Sequence, residues 1–202
     1  GKHKENLMKK RKTVLMLLLA AATFSTLLSG CGTDAGSGTT TDSSPDASDG
    51  SVELEPFTPP VTFEAVSADG ETVTSDIFAD SRLTMVNVWA TYCNPCLMEM
   101  PYLGELAAEY SPEDFQIIGI ISDVMEGDED TLQTALSLIS ETGADTYTHL
   151  LLNESLYTAM LTDVTAVPTT FFVDSEGRIL DTVLGSKEKD AWKELIDVYL
   201  EE

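Results

Sequence analysis

The chain is short of the ligands and charges on which several broad functions depend. Of its 202 residues, three are cysteine and two histidine. Beyond Cys93 and Cys96 only Cys31, His3 and His149 remain, and none is spaced to complete a tetrahedral zinc site. Bases are also scarce, 11 Lys and Arg against 35 Asp and Glu, for a net charge of −24. From Cys31 onward only Arg82, Arg178, Lys187, Lys189 and Lys193 are basic, against 34 acids (all but Glu5). Such a surface repels phosphate backbones and anionic headgroups, which argues against nucleic-acid binding and favours basic protein partners. The main apolar run, Val14 to Leu28, falls short of the ~20 residues that cross a bilayer. With no other cysteine in the folded part, that part must be held by its core alone.

What is present at the amino terminus reads as an export signal. Lys9-Lys10-Arg11-Lys12 precedes the apolar run, and small residues follow it. The run closes on Leu28-Ser29-Gly30-Cys31, which resembles the lipobox of bacterial lipoproteins. The resemblance implies cleavage before Cys31 and lipid attachment to its sulfur, with an ordinary signal peptide and an incidental cysteine as the alternative. Two or three acyl chains hold a protein on a membrane, whereas one does not. Met8 is a candidate start. Residues 1–30 are therefore expected to be a lipoprotein signal peptide, 31–60 a lipidated flexible tether, and 61–202 the folded domain. The tether is rich in Gly, Ser, Thr, Asp and Pro, and such a segment cannot bury enough surface to order itself.

Cys93-Asn94-Pro95-Cys96 follows the apolar run Met85 to Trp89. Two thiols at this spacing, between a buried strand and a helix, suit a reversible disulfide. The first sulfur would meet free N–H groups and the positive helix end, which stabilise its thiolate. Proline in the first turn loses no needed hydrogen bond. Half a zinc site and an inert bridge are the plainer readings.

Around this pair the pattern predicts alternating strands and helices. Val61–Val66 and Glu71–Thr74 flank Asp69-Gly70, a hairpin signal. Leu83–Trp89 and Phe115–Ile121 are buried strands. Met100, Leu103, Ala107 and Tyr110 mark a helix that Pro101 should kink. Asp130 is expected to cap a helix with Leu132, Ala135, Leu136 and Ile139 on its apolar face. A short strand at 149–152 and a short helix at 155–161 follow. Thr169–Val173 and Arg178–Leu184 form a hairpin, and a last helix carries Trp192, Leu195, Ile196, Tyr199 and Leu200. The pattern implies an α/β fold with a mixed sheet and helices on both sides.

With Trp89-Ala90-Thr91-Tyr92-Cys93-Asn94-Pro95-Cys96, Glu99, Pro101 and Val167-Pro168-Thr169-Thr170-Phe171-Phe172-Val173-Asp174 in view, the chain resembles the thioredoxin superfamily. Within it, the likeness is to TlpA/ResA-type membrane-anchored thiol-disulfide oxidoreductases, from about Val61 to the C-terminus. The resemblance implies a thioredoxin-like fold: a central mixed sheet flanked by helices, an N-terminal β-hairpin, and an insertion of about Asp123 to Leu161 before the final hairpin. It implies that Pro168 is cis against the cysteines, where sequence alone allows a trans proline opening an edge strand. The backbone of Val167 would pair with an incoming substrate strand. Trp89 and Tyr92 are expected beside the site on the substrate side, with core filling the plain alternative for Trp89. Asn87 stands where cytoplasmic thioredoxins carry a buried Asp, and it cannot take up a proton. Glu99 is therefore expected to act as acid/base for the thiols, the alternative being that it complements its helix's positive end.

As implied by the resemblance, the protein is an extracytoplasmic, lipid-anchored reductase of the bacterial cell membrane that needs no metal or cofactor. Its partners would be disulfide-containing clients such as apocytochrome c and a membrane electron donor of CcdA or DsbD type. Two rivals share the fold. A peroxiredoxin needs Thr or Ser three residues before its cysteine, where Ala90 stands. A Sco-like copper carrier needs one more residue between the cysteines and a distal histidine, although two thiolates can hold Cu(I).

Overall fold

The computed structural model describes residues 59–201, so the expected signal peptide, lipid-bearing Cys31 and the tether up to residue 58 lie outside the described residues. Strands β1 (Glu64–Val66) and β2 (Thr72–Thr74) pair antiparallel. Gly70, with φ of 84°, supplies the left-handed backbone of the turn between them, as the Asp69-Gly70 signal required. A 3-10 helix over Ser75–Asp80 follows, which the sequence had not suggested; Thr74 caps it by accepting from the Asp76 N–H, and Phe78 anchors it in the core.

The remaining elements alternate: β3 (Leu83–Trp89), α1 (Asn94–Glu109), β4 (Phe115–Met125), α2 (Glu129–Thr142) and β5 (Thr148–Leu152). Then come α3 (Glu154–Leu156, continued by a π turn over Tyr157–Leu161), β6 (Thr169–Asp174), β7 (Ile179–Leu184) and α4 (Lys189–Glu201). α1 runs through Pro101 without ending there. The cap of α2 is Asp128, not the expected Asp130: its carboxylate accepts from the N–H and hydroxyl of Thr131. Asp130 falls inside the first turn instead, where its charge still suits the positive helix end. Among the described residues no helix is long and apolar enough to cross a membrane.

The main sheet has the order β5-β4-β3-β6-β7. β5, β4 and β3 run parallel, and β6 and β7 are antiparallel additions, so the sheet is mixed as expected. β3 lies at its centre and is buried at all seven positions, which explains its mostly apolar sequence. Side chains alternate between the faces. Val86, Val88, Ile118, Ile120 and Phe171 meet Phe63, Phe78, Leu156 and Met160 under the hairpin, the 3-10 helix and α3. On the other face Leu83, Met85 and Phe172 meet Leu103, Leu106, Trp192 and Ile196 of α1 and α4. Further along that face Trp89 and Ile121 meet Cys96, Met100, Ala135 and Ile139 of α1 and α2. Each large side chain so buried stabilises the fold by about 1.5–3 kcal/mol before entropy is charged against it. The long helices thus cover one face and the short elements the other.

Candidate active site

At the C-terminal end of β3 the chain must turn sharply into α1. Ser122 Oγ donates to the Trp89 carbonyl at 2.9 Å, and the Asp123 carboxylate accepts from both the N–H and the hydroxyl of Thr91. These bonds from β4 hold the loop two residues before the first cysteine. Cys93 is the N-cap of α1: its backbone is extended, and its Sγ accepts from the Cys96 N–H at 3.3 Å. The sulfur therefore occupies the position where a helix start best supports negative charge. Cys93 and Cys96 are joined in a disulfide, their Cα atoms 5.3 Å apart. Cys93 keeps 5 % of its surface exposed and Cys96 none, so Cys93 is the sulfur a partner can reach.

The Val167–Pro168 peptide is cis, as the resemblance implied. Val167 packs against the cluster that contains both cysteines. Tyr92, 75 % exposed, and Val167 line a cavity of about 220 Å³ with Tyr157, Leu152 and Val164 among its other walls. Cys93, Cys96, Tyr92, Val167 and Pro168 thus come together at one edge of the fold. Trp89 does not join them on the surface. It is wholly buried, with its indole N–H turned inward to His149 Nδ1 at 3.2 Å, so the expected substrate contact is corrected to a core position beneath the disulfide.

Glu99, one turn beyond Cys96, is almost fully buried at 1 % exposure. Its Oε1 accepts from Asn87 Nδ2 at 3.0 Å, and its Oε2 accepts from the Lys187 N–H and the Trp192 indole N–H, both at 3.1 Å. Burial pushes its pKa above the ordinary carboxylate value, and those three donors oppose the push without cancelling it. Asn87 Nδ2 also donates to Thr170 Oγ1 at 3.1 Å. Neither Lys187, Thr170 nor Trp192 was singled out as part of the site from sequence. Lys187 and Trp192 lie 88 and 93 residues along the chain from the carboxylate they hold, so no local pattern could reveal them. Asp123 carried no signal either.

His149, the histidine of the described domain, is buried on β5. Its Nε2 faces the Ala144 carbonyl at 2.9 Å and its Nδ1 accepts from Trp89, which together fix one neutral tautomer. Burial pulls its pKa down to about 4. With both ring nitrogens engaged, it is not disposed to join the two sulfurs as a copper ligand.

A family model described as Redoxin matches residues 55–196 of the chain. The thiol:disulfide interchange protein HelX of Rhodobacter capsulatus is 30% identical over 142 residues, which cover 70% of this chain and 74% of HelX. The thiol-disulfide oxidoreductase ResA of Bacillus cereus is 28% identical over 105 residues, 52% of this chain; the match spans little more than half of that relative, 56% of its length. Among solved structures, MTB DsbF superposes with a TM-score of 0.59 at 22% identity, over 71% of this chain and 99% of its own. The exposed lipoprotein thioredoxin Etrx1 of Streptococcus pneumoniae gives 0.56 at 24% identity, over 68% and 98%. At these identities the superpositions speak for a shared thioredoxin-like fold.

Proposed function

The chain belongs to the redoxin family, and from that premise we propose that it is an extracytoplasmic thiol-disulfide oxidoreductase that reduces disulfides in partner proteins. The observation that carries this reading is the Cys93–Cys96 disulfide at the start of α1, with one sulfur reachable beside the Val167–Pro168 segment. The names of HelX and ResA support the same chemistry.

In the dithiol state Cys93 attacks a client disulfide as thiolate, and one client sulfur leaves with its electron pair and takes a proton. Cys96 then attacks Cys93 Sγ in the mixed disulfide, and the second client sulfur leaves as thiol. The client gains two electrons and two protons; the Cys93–Cys96 bond reforms. Glu99 serves as the buried acid/base that takes the Cys96 proton in the second step, a role suited to a carboxyl with a raised pKa one turn away. Val167 offers backbone to the client strand, and Tyr92 covers its flank. Electrons return to the pair from a membrane donor of CcdA or DsbD type. The lipobox-like Leu28-Ser29-Gly30-Cys31 would hold the domain at the membrane, with the acidic surface favouring basic clients such as apocytochrome c.

Substituting Cys96→Ala removes the resolving sulfur, so clients should accumulate as mixed disulfides on Cys93, visible on non-reducing gels. Their absence, or a Cys93–Cys96 potential near −120 mV, about that of a strong oxidant, would overturn the reductant assignment.

A further inference from the structure

Among the described residues two buried side-chain polar atoms have no hydrogen-bond partner, Asn87 Oδ1 and Tyr147 Oη. Both residues are linked to Glu99: Asn87 donates to it, and Tyr147 feels its charge. An unpaired atom on a residue bonded to that carboxyl is notable, because buried polar groups are rarely left unpaired.

Every group bonded to Glu99 is a donor. That set suits a carboxylate and is hostile to a carboxylic acid, whose O–H needs an acceptor. A proton on Oε2 would face the N–H groups of Lys187 and Trp192, neither of which can accept. A proton on Oε1 would face Asn87, whose amide carries an acceptor at its other end. The two ends of that amide are nearly equal in size, so turning it end for end requires no repacking. Its other neighbour, Thr170 Oγ1, is a hydroxyl that donates as readily as it accepts. Asn87 thus makes two bonds in either orientation, through Nδ2 to two acceptors or through Oδ1 from two donors. At the far end the turn exchanges an unpartnered Oδ1 for Nδ2, so the proton on Glu99 must supply the bias toward the turned form.

We propose that Asn87 is a positioning residue that answers the proton on Glu99: Nδ2 donates while Glu99 is ionised, and the amide turns so that Oδ1 accepts when Glu99 is protonated. The turn obliges the Thr170 hydroxyl to reverse. Thr170 is the cross-strand partner of Asn87 and lies two residues after Pro168, so proton uptake at α1 reaches the strand next to the client-binding segment. This inference rests on the assignment of Glu99 as the acid/base. The other groups acting on Glu99 are the Lys187 and Trp192 N–H donors, the Lys187 ammonium, whose charge favours the anion, Tyr147, and Cys96 one turn earlier on α1.

Nuclear magnetic resonance on the isotope-labelled full chain tests it without a variant. Nuclear Overhauser effects from the Asn87 side-chain NH₂ to the Thr170 side chain should be present while Glu99 is ionised. They should disappear with the same midpoint as the Glu99 carboxyl carbon titrates. Unchanged effects through that titration would overturn the proposal. The Tyr147→Phe variant should keep the response; its loss there would hand the acceptor role to Tyr147, with the same consequence for Asn87. Asn87→Leu should raise the Glu99 midpoint by about one pH unit or more, since a donor to the anion is lost, and an unmoved midpoint would contradict the contact. A wild-type exchange rate in Glu99→Gln would instead sink the acid/base assignment and leave the amide response to be judged by its own spectra.

Discussion

One row of residues runs across four strands of the sheet beneath α1: His149 on β5, Gly119 on β4, Asn87 on β3 and Thr170 on β6, each the register partner of the next. Two buried ionisable groups meet this row in opposite ways, His149 at its β5 end and Glu99 of α1 over Asn87. At one end His149 has one donor and one acceptor, matched to a neutral ring, and burial lowers its pKa. Over Asn87, Glu99 meets only donors, matched to an anion, while burial raises its pKa. At the histidine desolvation outweighs the Ala144 carbonyl and the Asp69 charge, both of which favour the protonated ring, so its pKa falls to about 4. The carboxyl's surroundings and its desolvation disagree, which leaves both protonation states within reach. Burial alone therefore does not mark a proton-handling group: it moves the histidine's pKa away from neutral pH and the carboxyl's toward it.

The sharpest break in that contrast is Glu99→Gln. It should slow disulfide reduction by about 10²-fold or more, while His149→Gln stays within about threefold, in an insulin-reduction assay. Equal losses from both variants would erase the distinction.

Stability against pH comes next. His149 titrates near 4 when folded against 6.5 when unfolded, so its contribution is complete above pH 6.5 and is lost as the pH falls toward 4. The loss amounts to roughly 3 kcal/mol, which urea titrations at pH 7 and pH 4 should register and His149→Gln should remove. Glu99 has the opposite sign: its folded pKa lies above 4.5, so stability falls as pH rises through that folded value, and Glu99→Gln should flatten that limb.

Gly119 stands between His149 and Asn87 in that row. A Cβ there would collide with the His149 ring, so Gly119→Ala should cost about 1–3 kcal/mol in unfolding free energy with the exchange rate preserved. The smallest expected effect is that of Trp192→Phe, which deletes one donor to Glu99. It should cost about 1 kcal/mol and raise the Glu99 midpoint, read from the carboxyl carbon's titration.

Much of the frame was legible in the residues because the signals were local. The mostly apolar stretch of β3, Asp69-Gly70 at its hairpin and the spacing of Met100, Leu103, Ala107 and Tyr110 each report on neighbours a few positions away. Cys93 and Cys96 were legible for the same reason. The 3-10 helix was not, since six residues with one buried aromatic carry no periodicity to read. The cap of α2 was misplaced by two residues because Asp128, Glu129 and Asp130 offer consecutive carboxylates, and only the bonds to Thr131 select the first. Trp89 at a strand end could point to solvent or inward, and it is the pairing with His149, 60 residues away, that turns it in.

By itself, then, the sequence determined the alternation of strands and helices, the spacing of the two sulfurs at a helix start, and the presence of a glutamate one turn later. Those features depend on backbone geometry within a single turn or strand. Tertiary structure alone decided which sulfur is reachable, which donors hold Glu99 and why His149 is silent. Each of those depends on how far a group is removed from water and on what faces it there. Both conditions are set by chain segments far apart in sequence: the row across β5, β4, β3 and β6, and the start of α4 closing over α1.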